Sequence, residues 1–401
     1  MTQPSANRLV LAAIVAIFVY GTVASLLGTL LPALSARFHL TVDQNGKIAA
    51  AQALGLVLSS AAAGPLADNI SKKIGFVLGM ALMALSVAAL PHARGFVMVS
   101  MLIFFLGLGS GTIVTVSNSL VSDVSARNRA SLLSLANVFF GLGGLLTPFV
   151  AANLLGGNIT HLTYLVAVLS VAGLLFEWSV RMPPPVPERR FSLAAALSLP
   201  AKPLLFLLCA FVLLYVSCEV AFWNFLAKYL ITQGMPPSRA LNILALGFAS
   251  GMLFGRIAGT RILAKYSAHA VTLAGSLLMV ATSLCVLSAG HLVSAWASVF
   301  CTGLVMGPIY PAAMAMIGDA FPRMTSTCMG LAVTAGWVGV ALSSSLIGAI
   351  AGADNARLRL ALFTVPSAAV LMFVVDLTLR PMLPCHVEER ALGMQWKSDL
   401  R

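Results

Sequence analysis

The chain has 401 residues, of which 59% are apolar and only 9% charged, with a formal net charge of +12. So few ionisable groups cannot solvate the surface of a water-soluble protein of this size, and the chain reads as a polytopic membrane protein. The basic excess does not mark a nucleic-acid binder, because Lys and Arg are scattered singly between apolar runs and form no stripe with interleaved aromatics.

A membrane span needs about 20 mainly apolar residues. That length recurs near 9–31, 46–67, 74–91, 96–121, 131–154 and 161–181. The first run is too long for a signal peptide, and no Ala-x-Ala site follows it. The segment Met182-Pro183-Pro184-Pro185-Val186-Pro187-Glu188-Arg189-Arg190 can neither continue a helix nor stay in lipid, so it reads as a linker. Six further runs follow near 203–231, 241–264, 268–289, 292–317, 326–351 and 358–380, and the tail is polar. The expected fold is an all-α membrane protein with twelve transmembrane helices in two pseudo-symmetric six-helix bundles. The first bundle takes 1–181, the linker 182–202, the second bundle 203–380 and the tail 381–401.

Counted over alternate loops, 17 of the 24 Lys and Arg residues fall on the side of the termini. By the positive-inside rule both termini and the linker are expected in the cytoplasm, with the chain multi-pass in the plasma membrane, the inner membrane of a bacterium. The halves also repeat. Gly107-Leu108-x-x-Gly111 followed by Asp123-x-x-x-Arg127 recurs 196 residues later as Gly303-Leu304-x-x-Gly307 followed by Asp319-x-x-x-Arg323. Glu177 with Arg181, and Asp376 with Arg380, are expected as i, i+4 pairs at the ends of spans six and twelve.

Several residues inside the spans could carry chemistry. In span four Gly111, Thr115, Asn118 and Ser122 recur at helical spacing and form a polar stripe that can face water or a solute. A helix contact made with small hydroxyl residues is the other reading. Asn137 opens span five ahead of a glycine run. Glu219 is the carboxyl deepest in a span, about 24 Å along the helix from Pro203. An ionised acid there costs at least ~2.5 kcal/mol, so it should face the bundle interior and hold a proton for part of a cycle. An acid neutralised by a structural partner is the alternative. Tyr215 and Trp223, four residues to either side, are expected on the same face. Pro308, Tyr310 and Pro311 predict a break in span ten. Arg256, near the inner end of span eight, reads as a gating or scaffold charge rather than a residue reaching for the membrane surface.

Between spans two and three the sequence runs Gly64-Pro65-Leu66-Ala67-Asp68-Asn69-Ile70-Ser71-Lys72-Lys73. Gly64, Leu66, Ala67, Asp68, Lys72 and Lys73 resemble the signature at the same place in the major facilitator superfamily, while Asn69 and Ser71 depart from it. Asp68 is expected to meet the start of span eleven near Thr325 to Thr327, where unpaired backbone N–H groups favour an anion. Together with Gly64, Lys72, Lys73, Asp123, Arg127, Arg256, Asp319 and Arg323 it would form a cytoplasmic clasp.

The run from Leu135 through Pro148, Cys218-Glu219 with Trp223, Phe254-Gly255-Arg256 and Gly307-Pro308-Ile309-Tyr310-Pro311 resemble the fucose-galactose-hexose permease branch of that superfamily. The resemblance implies proton-coupled uptake of a sugar or similar polar solute by alternating access; Glu219, from its depth in a span, is the expected proton carrier. Asn118, Thr115, Asn137, Tyr215, Trp223 and Tyr310 are the expected cavity residues. Efflux of a drug or metabolite by proton antiport on the same fold is the alternative.

An enzyme is not expected. The six histidines fall in loops or near span ends, so Ser110 has no base at its depth. There is no phosphate-binding Gly-x-x-x-x-Gly-Lys-Ser/Thr loop and no His-Glu-x-x-His pair. Five cysteines lie in apolar runs and Cys385 beyond the last, without metal-ligand or disulfide spacing. No cofactor and no metal are therefore expected; the partners are a small-molecule solute, protons and the lipid bilayer, with no nucleic acid, and a monomer is expected.

Overall fold

The computed structural model describes residues 6–40, 42–69, 71–124, 128–155, 158–182, 202–322, 324–351 and 357–383. The linker expected at 182–202 and the tail expected at 381–401 lie, apart from their edges, outside the described residues. The first half comprises α1 (Ala6–Leu30), α2 (Lys47–Ala67), α3 (Lys72–His92), α4 (Phe96–Val124), α5 (Arg129–Ala151) and α6 (Thr160–Ser179). The second opens with α7 (Pro203–Leu226). Next, α8 (Ser250–Lys265) continues a short helix, Pro237–Asn242, through a π-helical segment, Ile243–Ala249. Then come α9 (Ala268–Ser288), α10 (Leu292–Ala320), α11 (Thr325–Ala351) and α12 (Leu358–Met382).

Eleven of these helices are long and apolar enough by themselves to cross a membrane. The stretch ending in α8 completes the twelve; its π-helical segment and the charges Arg256, Arg261 and Lys265 are what set it apart. No strand occurs among the described residues.

The repeat is visible in the packing. In the first half α2 and α3 pack on α4, α1 on α5 and α3 on α6; in the second half α8 and α9 pack on α10, α7 on α11 and α9 on α12. Glycine permits the closest of these contacts. A Cβ on Gly107 would collide with Gln52 O, and one on Gly303 with Phe248 O, the second pair lying 196 residues after the first in sequence. In lipid, where apolar surface gains nothing by leaving solvent, such backbone approach supplies the dispersion contact that holds helices together. The helix starts match as well. Ser71 Oγ accepts from Lys73 N at 3.1 Å to cap α3, and Ser267 Oγ accepts from Ala270 N at 3.2 Å to cap α9.

The charge pairs expected at the ends of α6 and α12 do not form. Glu177 is completely buried, and neither of its carboxylate oxygens has a hydrogen-bond partner among the described residues. The reason is local: α6 ends at Ser179 and Val180 is extended, so Arg181 lies beyond the helical geometry that i, i+4 spacing requires. Asp376 is buried against His269, 3.9 Å away, while the helix tightens from Arg380 to Met382 and leaves Arg380 exposed. Lys73 Nζ donates to Trp178 O at 2.7 Å, and His269 Nε2 lies 2.9 Å from Asp376 O. The same end-to-end tie therefore joins α3 to α6 and α9 to α12.

Candidate functional site

Where the halves face each other, α10 breaks. Its helix stops at Met306 and resumes at Ile309, with Gly307 and Pro308 between, as the proline and glycine in this stretch predict. The Met306 carbonyl at the break accepts a hydrogen bond from the Tyr215 hydroxyl on α7, at 3.1 Å. Tyr310, just past the break, has its ring 6.1 Å from that of Tyr215. Its hydroxyl accepts from Asn118 Nδ2 on α4, at 3.5 Å. Both tyrosines lie beside Glu219, one turn along α7 from Tyr215.

Glu219 has a charged partner that its own helix does not supply. Arg256 on α8 brings Nη2 to 3.7 Å from Glu219 Oε1, the two side chains being 8% and 18% exposed respectively. The guanidinium is held from the first half: Nη1 donates to Asn137 O at 3.3 Å, and its carbon lies 5.5 Å over the Phe140 ring. Phe140 in turn stacks on Tyr20 of α1, with centroids 5.1 Å apart. The Asn137 side chain does not reach Arg256; its Nδ2 donates back along the helix to Leu133 O at 2.9 Å. Five of the expected residues, Asn118, Asn137, Tyr215, Glu219 and Tyr310, therefore meet here. Arg256, expected near the membrane edge, joins them because its long side chain is buried and turned inward.

Two expected residues go elsewhere. Thr115 is fully buried against α11, its methyl 3.3 Å from where a Cβ on Gly330 would be. Trp223 is 39% exposed and packs edge-on against Phe248, with centroids 5.2 Å apart. Tyr20 and Phe140 were not singled out from sequence; a tyrosine inside the apolar first run was the available signal.

At the end carrying the linker the halves are locked together. Lys72 pairs with Asp123 at 2.9 Å within the first half. Arg129 forms an ion pair with Asp319 across the halves, and its Nε donates to Ser122 O at 2.9 Å. The Ser119 and Ser326 hydroxyls share a hydrogen bond between α4 and α11. Ser131 and Ser134 donate to Thr260 O and Arg256 O at 2.6 and 2.7 Å, joining α5 to α8. Gly64 sits on α11: a Cβ there would be 2.5 Å from Ser326 O. Arg127, Arg323 and the Asp68 side chain lie outside the described residues. Arg129, counted from sequence only as a topology charge, is the residue that joins Asp319.

This arrangement of two six-helix halves, closed at one end over a polar cluster, is matched by known proteins. A family model for the Major Facilitator Superfamily covers residues 13–344. The chain belongs to that superfamily. This transporter is 26% identical over 346 residues to YceJ, an uncharacterized MFS-type transporter of Bacillus subtilis, covering 82% of this chain and 86% of that one. It is 24% identical over 321 residues to the L-fucose-proton symporter of Escherichia coli, covering 68% and 72%. The crystal structure of the superfamily transporter FucP in the outward conformation shares the fold with a TM-score of 0.79 at 19% identity, covering 92% of this transporter and 98% of FucP.

Proposed function

We propose that this transporter carries a small polar solute, sugar or sugar-like, across the membrane by alternating access, driven by protons. The observation that carries the reading is the Glu219–Arg256 pair at 3.7 Å, set where the two halves meet. A carboxylate that is mostly buried exchanges a proton when its surroundings change from wet to dry, and a change in which half it packs against does that. The tyrosine hydroxyls and asparagine amides around it offer donors and acceptors to a hydroxylated solute. The ties at the linker end would hold that side shut while the cavity is open on the other. With termini and linker in the cytoplasm, as the charge distribution favours, the closed end is the inner one.

The sequence similarity to an L-fucose-proton symporter supports uptake by symport over export. Purified transporter in proteoliposomes tests it. Labelled L-fucose, galactose and glucose should accumulate when the lumen is made alkaline relative to the bath, and collapse of the pH gradient should release them. Accumulation of cationic dyes instead, driven by the opposite gradient, would establish proton antiport.

A further inference from the structure

The guanidinium of Arg256 is buried with donors it does not use. Nη1 donates to Asn137 O at 3.3 Å. Nη2 lies 3.7 Å from Glu219 Oε1, beyond hydrogen-bond distance, and buried Nε has no hydrogen-bond partner among the described residues. Nε and Nη2 share one edge of the planar group, the edge that grips a carboxylate through two parallel N–H···O bonds. The face of the group lies over Phe140. On the Nη1 side Gly141 brings no side chain; a Cβ there would be 3.4 Å from Nη1. The cation is thus held by one corner and one face, and its buried bidentate edge makes no hydrogen bond among the described residues.

Charge balance says what should fill that edge. While Glu219 is ionised the pair is neutral. Once Glu219 takes up a proton from water, its negative charge is gone and Arg256 becomes a buried cation without a counter-ion, which is strongly unfavourable. Among the described residues, the other titratable groups facing the pair are Tyr20 from α1, Tyr215 from α7 and Tyr310 from α10. As phenols they supply hydroxyls and not anions at neutral pH. Within the sugar-like class proposed above, a solute that bears an acid group would supply the missing counter-ion, which a neutral sugar does not. Resting on the transport reading above, we infer that the solute carries a carboxylate, which takes the Nε–Nη2 edge of Arg256 in place of protonated Glu219. One proton and one monoanion then enter together, and the cluster never holds net charge.

The test is calorimetric titration of the purified full-length transporter with acid and amide pairs of matched shape: lactate with lactamide, gluconate with gluconamide, benzoate with benzamide. In at least one pair the acid should bind ten-fold or more tightly than the amide. Arg256→Lys keeps the charge but not the two-pronged edge and should lose that preference, whereas Glu219→Gln should keep it. Equal affinities within every pair, no binding by any acid, or an undiminished preference in Arg256→Lys would overturn the inference; the wild-type comparison decides even where a variant fails to fold. Accumulation of neutral L-fucose under a pH gradient, together with no acid preference, sinks the inference and leaves the transport reading standing. No gradient-driven movement of either acids or sugars sinks both.

Discussion

Arg129, at the start of α5, forms an ion pair with Asp319, at the end of α10, and so ties the two halves at the linker end. Asp123 occupies the equivalent place in the first half, yet it pairs with Lys72 inside its own bundle. Equivalent acids in the repeat thus each make a tie, Asp123 to Lys72 within a half and Asp319 to Arg129 between halves. Gly318 makes room for the crossing, since a Cβ there would meet Ser122 Oγ and stand 2.8 Å from Arg129 Cδ.

Asp319→Asn should loosen closure at the linker end. Loss of about 1 kcal/mol from a partly exposed pair shifts a two-state equilibrium roughly five-fold. A single cysteine at Ser119, buried at the α4–α11 contact, should then react several-fold faster with an impermeant maleimide applied from the linker side. Lys72→Gln, which breaks the tie within one half, should change that rate much less. Equal rates in both variants would remove the distinction between the two acids.

Gly64→Val should block closure from the opposite direction. The added Cβ would stand 2.5 Å from Ser326 O and 2.6 Å from Thr327 Cα, both backbone atoms that cannot step aside. Overpacking of this kind costs typically ~1–3 kcal/mol. The variant should insert normally and transport at least ten-fold more slowly. A wild-type transport rate would mean that α2 and α11 need not meet at Gly64 during the cycle.

Gly107→Val and Gly303→Val should damage stability instead of cycling. Their contacts, to Gln52 O and Phe248 O, lie inside one half and have no need to open. Each variant should lower the midpoint of thermal unfolding in detergent, and the survivors should keep their normal ratio of inward to outward labelling. A changed labelling ratio at unchanged stability would show that these helices slide during transport.

Glu219→Gln removes the exchangeable charge but keeps shape and hydrogen bonding. It should abolish accumulation driven by a pH gradient while solute exchange between equal pools continues. Undiminished accumulation in this variant would place the proton site elsewhere; loss of exchange as well would make Glu219 a direct ligand of the solute.

Reporter fusions test the orientation. Those at Gly157 and Asn355 should read external, and one at Pro187 cytoplasmic, because 17 of the 24 basic residues lie on the side of the termini. An external signal at Pro187 would invert the molecule and make the closed end the outer one.

By itself the sequence determined the membrane class, the twelve helices, the repeat and the break in α10. Each of these rests on local properties: run length of apolar residues, Gly and Pro placement, and the recurrence of small residues at helical spacing. Asn118, Tyr215, Glu219 and Tyr310 were legible as a polar set because a polar side chain inside a span stands out against apolar neighbours. Tertiary structure alone decided which charge meets which. Arg256 reaches Glu219, Arg129 reaches Asp319 at a separation of 190 residues, and Glu177 is left without Arg181. Partners of that kind depend on how each helix is rotated about its axis and on which half it presses against. Trp223 shows the same limit, for its helical spacing put it beside Glu219 while the π-helical segment before α8 offered Phe248 as a closer surface. A helix fixes which residues share a face; only the packing of twelve helices fixes what that face meets.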